Sequence, residues 1–222
     1  MDNMKNRWAI KYAPNCIDEC VVPASVYKFL DRLRKDDYVP NIFFYGSPGT
    51  GKTTLAKLLA NECKLEPYFL NASLDVNRTT LRNDISHFAS TFSVFGYEGK
   101  VIIFDEADRI PKQVQGEMRG LLDQLQGFCS FIMTGNYPDK LTDPIKSRLV
   151  SLEIGGLGNR IVDDELKEAI FKRVQMICDS ENVKFNRSIV SRLIECDFPN
   201  VRQIIIDAEM VLKYGAPLGK VA

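Results

Sequence analysis

Eight consecutive residues, Gly46-Ser47-Pro48-Gly49-Thr50-Gly51-Lys52-Thr53, satisfy the pattern GxxxxGK[ST] in full. A loop of this kind functions only where a strand runs into a helix. Its glycines let successive backbone N–H groups converge on one polyphosphate, and the helix start adds the positive end of its dipole. Both flanks are legible: Ile42-Phe43-Phe44-Tyr45 reads as a buried strand, and Lys52 to about Glu62 as a helix. The chemistry of the loop assigns Lys52 to the β- and γ-phosphates of a nucleotide and the Thr53 hydroxyl to a magnesium ion. Thr54 follows in the first turn of the helix and completes the expected binding set, Gly46 to Thr54.

The chain up to Ile154 repeats the same alternation. Tyr68-Phe69-Leu70, Val101-Ile102-Ile103-Phe104, Phe131-Ile132-Met133-Thr134 and Leu149 to Ile154 read as further strands. Between them, Arg78 to Phe92 has helical spacing, with Leu81, Ile85, Phe88 and Phe92 on one face, and Lys112 to Leu125 forms a helix just behind Pro111. Strands separated by helices build parallel βαβ units, so residues 1–155 are expected to form a three-layer α/β domain on a parallel five-stranded sheet. Gly155-Gly156-Leu157-Gly158 reads as a linker. Beyond it Asp163 to Cys178, Ser188 to Cys196 and Asn200 to Lys213 keep only a helical period, which predicts a small all-α domain over 156–214 and a tail over 215–222.

The strand Val101 to Phe104 runs into Asp105-Glu106. At the carboxyl end of a strand in this fold class, the first acid can hold Mg²⁺ and the second can polarise a water in line with the γ-phosphate. Asp105-Glu106-Ala107-Asp108 also spells DEAD, but an RNA helicase of that type needs a second lobe and an SAT motif, and the sequence has neither. Composition narrows the rest. With 29 basic and 29 acidic residues in 222, there is no blanket basic surface. No apolar run approaches the ~20 residues of a membrane span, and the start lacks a signal peptide, so a cytoplasmic protein is expected. Six scattered cysteines without a CxxC pair argue against zinc and predict buried, reduced thiols. The single histidine, His87, makes His-dependent nucleophilic catalysis a poor candidate, and it reads as structural.

In their order, these motifs resemble those of the AAA+ ATPases, and within them the sliding-clamp loaders. Lys11-Tyr12-Ala13-Pro14 is similar to the box that opens replication factor C small subunits, and Ile17-Asp18-Glu19-Cys20-Val21-Val22-Pro23 resembles the large clamp-loader subunit of T-even-like phages. Thr134-Gly135-Asn136-Tyr137-Pro138 looks like sensor 1, which implies that Asn136 lies near the γ-phosphate and the water. Ser147-Arg148-Leu149 looks like the SRC motif, implying that Arg148 reaches in trans the ATP of an adjacent subunit. Phe198-Pro199-Asn200-Val201-Arg202 looks like sensor 2, which would bring Arg202 onto ATP from the helical lid. Gln115 and Arg119 fit the QxxxR pattern through which the family couples DNA contact to catalysis. Two positions depart from the pattern, Ala13 for arginine and Leu149 for cysteine. Family members also continue into a helical collar that holds their ring together, whereas this sequence ends after the lid.

The resemblance implies an ATPase subunit that uses ATP and Mg²⁺ to open a sliding clamp and load it on primer–template DNA during replication. Its implied partners are the clamp, the DNA backbone and other loader subunits, with no membrane. Arg82 matches the family's DNA-backbone arginine and Arg78 lies one turn earlier; Arg109 and Lys112 are weaker candidates for the same track. An arginine finger in trans implies that an isolated subunit hydrolyses ATP slowly. Two other readings stay open. A helicase loader or other AAA+ DNA motor is disfavoured by the Lys11–Pro14 box and by Ser147-Arg148-Leu149; a non-hydrolysing scaffold subunit is disfavoured by intact Lys52, Thr53, Asp105 and Glu106.

Overall fold

A computed structural model of the chain describes residues 7–36, 38–72, 80–93, 96–156 and 158–217, with the backbone alone at 80–82. Its helices are α1 (Trp8–Lys11), α2 (Ala24–Leu33), α3 (Lys52–Glu62), α4 (Ser86–Ser90), α5 (Lys112–Gln124), α6 (Asp143–Lys146), α7 (Arg160–Glu181), α8 (Arg187–Asp197) and α9 (Val201–Ala208). Its strands are β1 (Ile42–Tyr45), β2 (Leu65–Asn71), β3 (Gly99–Asp105), β4 (Ser130–Gly135) and β5 (Val150–Glu153). Contacts group these elements into two compact units. One comprises Ser25–Gly46 and Lys52–Glu153; the other comprises Met1–Ala24, Ser47–Gly51 and Ile154–Ala222.

The first unit is built on a five-stranded sheet in the order β2-β3-β4-β1-β5, and every neighbouring pair is parallel. Central strands covered on both faces must be apolar throughout. Val101 to Phe104 of β3 are accordingly fully buried, and every residue of β4 is buried. At the edge, β5 leaves Val150 exposed. The order also fixes the site: β4 lies between β3 and β1, so the carboxyl ends of these three strands adjoin one another. Ligands of open α/β sheets bind at such a crossover of strand order. Beneath it, Phe43, Phe104, Phe131, Met118 and Ile145 share one core.

Two details differ from the expectations. The helix read as running to Phe92 ends at Ser90, and Phe92 is 99% exposed rather than packed with Ile85. Ser90 Oγ and Thr91 Oγ1 donate to the carbonyls of His87 and Phe88, and Thr91 is extended (φ −81°, ψ 160°), which turns the chain off the helix face. In addition α2 had not been read as a helix, although Val26, Leu30 and Leu33 form a buried stripe along it.

The second unit is helical. Helices α7, α8 and α9 each start on an asparagine whose side chain accepts a backbone N–H: Asn159 from Ile161, Asn186 from Ile189 and Asn200 from Gln203. Their apolar faces enclose Val174, Ile177, Leu193 and Ile204. Trp8 of α1, fully buried, belongs to the same core. The helical unit also includes residues 7–24 and the loop Ser47–Gly51. The thiols are also less uniform than expected: Cys178 is buried, Cys196 is exposed and the other four lie between. Burial pushes the Cys129 and Cys178 thiols up to about 11, which keeps both protonated and unreactive at neutral pH.

Candidate nucleotide site

In the sheet unit, β1 delivers Gly46 and α3 begins at Lys52. Lys52 is buried, and its Nζ donates to the Gly46 carbonyl at 2.9 Å, so the ammonium folds back over the strand exit. Thr53, the next residue, reaches β3. Its Oγ1 donates to Asp105 Oδ1 at 2.6 Å. The hydroxyl of Thr134, near the end of β4, donates to the same carboxylate oxygen and accepts the backbone N–H of Glu106 at 3.3 Å. One oxygen of Asp105 thus gathers hydroxyls from α3 and β4 onto the end of β3. A carboxylate beside a threonine hydroxyl is the hard oxygen set that suits Mg²⁺.

Glu106 adopts a left-handed conformation (φ 57°, ψ 41°), which costs a non-glycine residue about 1–2 kcal/mol. The turn sends Ala107 and Asp108 into the interior and leaves the Glu106 carboxylate partly exposed. That carboxylate pairs with Arg109 Nε at 3.1 Å, so Arg109, a weaker candidate for DNA contact, here holds the expected catalytic acid. Asn136 follows β4 directly. Its backbone N–H and that of Tyr137 both donate to Asp108 Oδ2, each at 3.2 Å.

Gln115 is buried on α5 and its side chain makes three hydrogen bonds. Its Nε2 donates to the carbonyls of Ile110 and Lys140, and its Oε1 accepts from Thr142 N–H at 2.8 Å. One side chain therefore joins the turn after β3 to the segment after β4. Arg119 lies exposed on the same helix. Arg148, just beyond α6, is engaged within its own chain by Asp123 of α5, which draws the Asp123 carboxyl below the usual range through hydrogen bonding.

In the helical unit, the remaining loop residues rest on the start of α9. Gly49, at φ +76°, offers its carbonyl to the Arg202 N–H at 3.2 Å. A Cβ added to Gly49 would fall 1.8 Å from Asn200 Oδ1. Thr50 is buried and closes the turn by donating to the Ser47 carbonyl at 3.0 Å. Ser47, Pro48 and Gly51 complete the loop, and the Arg202 side chain is exposed. Of the DNA candidates, Lys112 is exposed, Arg78 lies outside the described residues, and so does the side chain of Arg82. Asp108, Thr134 and Asp123 had no assigned part in the sequence reading. In the sequence Asp108 shows only as the last letter of DEAD, and Thr134 as the end of a strand and the first residue of the stretch resembling sensor 1.

A phosphate loop after β1, an acid pair at the end of β3 and a polar turn after β4, on a parallel sheet, define a P-loop nucleotide-binding protein. Residues 42–155 match the family described as ATPase family associated with various cellular activities (AAA), and the chain belongs to it. Among curated relatives, it is 34% identical over 198 residues to the sliding-clamp-loader large subunit of Escherichia phage RB69, covering 88% of this chain and 61% of that protein. To the corresponding subunit of Enterobacteria phage T4 it is 32% identical with the same coverage. To the replication factor C small subunit of Staphylothermus marinus it is 30% identical over 96% of this chain and 63% of the relative. The chain thus spans somewhat under two thirds of these relatives. The RuvB Holliday-junction branch-migration motor of Thermotoga maritima shares the fold, at a TM-score of 0.67 and 19% identity, covering 89% of this chain and 64% of that one. Among the described residues, no helix is long and apolar enough to cross a membrane.

Proposed function

We propose that this chain is an ATP-hydrolysing subunit of a sliding-clamp loader, which opens the clamp on primer–template DNA when ATP is bound and releases it on hydrolysis. The observation that carries the ATP reading is the meeting of Thr53 Oγ1 and Asp105 Oδ1 at 2.6 Å at the strand ends. Kinship with the phage sliding-clamp-loader large subunit and the replication factor C small subunit supports the clamp and the DNA as partners. Thr53 and Asp105 would hold Mg²⁺, whose charge offsets that on the β- and γ-phosphates. Gly46 to Thr54 bind the polyphosphate, with Lys52 supplying the side-chain cation. Glu106 polarises the attacking water in line with the γ-phosphate, and Asn136 lies near that water and the γ-phosphate. Arg202 serves its own subunit's ATP; Arg148 serves a neighbour's. Gln115 and Arg119 link DNA contact, through Arg78 and Arg82, to the acid pair. Such a protein would work in the cytoplasm, that of the host if phage-encoded.

The test is ATP turnover of the chain with and without its clamp, primed DNA and partner subunits. Turnover is expected to be slow alone and to rise with all three. Turnover that ignores clamp and DNA would remove the clamp-loading reading while leaving the ATPase in place. Loss of nucleotide binding in Lys52→Ala checks the loop separately.

A further inference from the structure

Asp108 is 6% exposed and has no assigned part in nucleotide chemistry. Burying a carboxylate costs several kcal/mol unless its oxygens are satisfied. Here only one is: Oδ2 accepts the Asn136 and Tyr137 N–H groups, while Oδ1 is buried without a hydrogen-bond partner. The orphaned oxygen is pressed against the end of β4. A Cβ at Gly135 would lie 3.1 Å from Asp108 Oδ1 and 3.1 Å from the Phe43 ring, so the smallest residue stands where the carboxylate needs room. A core that merely needed filling would take an apolar side chain at this point. The carboxylate supplies a two-amide grip on the turn after β4, made with the stronger, charge-assisted kind of hydrogen bond.

We infer that Asp108 is the positioning residue of Asn136. Glu106 and Asp108 lie on one tight turn, Ala107–Arg109 with Glu106 as its left-handed entry. The Thr134 hydroxyl already joins the backbone of Glu106 to β4 from one side, and Asp108 joins the same turn to Asn136 from the other. The exits of β3 and β4 are therefore clasped twice, and the Asn136 side chain takes its place relative to Glu106 from that clasp. Misplacing a reacting group by about an ångström costs on the order of 10²-fold in rate. This inference rests on the role proposed for Asn136, and the experiment separates the two.

Asp108→Asn keeps the shape and one acceptor but removes the charge; Asp108→Ala removes the grip. Each is made alone and together with Asn136→Ala in the full chain, and ATP turnover is measured with the loader's partners present. Asp108→Asn is expected to lower kcat by about 10- to 100-fold with KM for ATP unchanged, and to add nothing in the Asn136→Ala background. If Asn136→Ala slows turnover and Asp108→Asn multiplies that loss in full, the inference is overturned and the role of Asn136 survives. If Asn136→Ala leaves turnover untouched, the role of Asn136 falls, and this inference with it. A second readout needs no nucleotide. Amide hydrogens of Asn136 and Tyr137 should exchange faster in Asp108→Asn, while the thermal midpoint reports folding. Unchanged exchange at both amides in a folded variant would also overturn the inference.

Discussion

Arg148 and Asp123 form a two-point fork. Nε donates to Oδ1 at 2.6 Å and Nη2 to Oδ2 at 3.0 Å, while Nη1 reaches the Pro144 carbonyl at 2.7 Å. A guanidinium satisfied in this way sits within its own subunit, so engaging a neighbour's phosphate means exchanging at least part of the fork for the new contact. In mixed assemblies, Arg148→Ala should suppress hydrolysis on the adjacent wild-type subunit by about 10³–10⁵-fold. The altered subunit's own ATP should still turn over. If only its own activity were lost, the assignment in trans would be wrong. Because the pair lies at the surface, the melting temperature of the isolated chain should hardly change.

Glu106→Gln keeps the size of the side chain and removes the base. ATP-analogue binding should match the parent within a factor of about two, while turnover falls by about 10²–10⁴-fold. Isothermal titration and single-turnover hydrolysis separate the two quantities, and retained turnover would release Glu106 from its role.

Gly49→Ala places a Cβ 1.8 Å from Asn200 Oδ1 at a left-handed φ of +76°. The conformation alone costs about 1–2 kcal/mol, and the collision adds to it. Nucleotide affinity should fall steeply. Asn200→Gly in the same chain removes the collision and should restore part of the affinity, but not the share set by φ. An equal loss in both chains would show that contact with Asn200 is immaterial.

Gln115→Ala leaves the Ile110 and Lys140 carbonyls and the Thr142 N–H without their partner. Only the bond to Ile110 is fully buried; an unmet buried group costs about 1–3 kcal/mol and the two part-buried groups less, so denaturant unfolding should report a loss of about 2–4 kcal/mol. A loss under about 1 kcal/mol would mean that water takes over the junction.

Glu181, the last residue of α7, accepts from Lys11 Nζ at 2.6 Å, Lys213 Nζ at 2.9 Å and Tyr12 Oη at 2.9 Å. The bond from Lys11, then that from Lys213, hold its carboxyl at about 2, against 4.5 for an ordinary glutamate. The folded value is the lower, so this stabilisation is complete above pH 4.5 and fades as pH falls toward 2. Lys11 and Lys213 are raised above 10.5 by the same bonds, so their share is complete below that pH and fades above it. Melting temperatures taken across the acid range should fall less steeply in Glu181→Gln. An identical acid limb in both proteins would contradict the assignment.

Where backbone demands and residue type coincide, the sequence is transparent. The β1–loop–α3 unit follows from its glycines, lysine and apolar flanks, and β3 and β4 from the apolar runs Val101–Phe104 and Phe131–Met133. Helix α2 was hidden because its stripe of Val26, Leu30 and Leu33 lies between irregular segments and carries no motif. Phe92 misled because helical spacing continues past the point where Ser90 and Thr91 bond back and stop the helix. At the site, residues that touch phosphate chemistry carry recognisable patterns, whereas those that hold them do not. Asp108 reaches Asn136 across 28 residues of sequence and Arg148 reaches Asp123 across 25, pairings that exist only once β3, β4 and α5 are assembled.

Trp8 has a practical bearing on any attempt to trim the protein. Its indole is fully enclosed among helices that the chain reaches some 160 residues later, and its backbone N–H is held by Glu209 at 3.0 Å. A minimal nucleotide-binding fragment cut just ahead of β1 would look tidy on paper. It would pull the keystone from the opposite end of the polypeptide, so a shortened version is best begun upstream of Arg7, with any purification tag joined by a spacer.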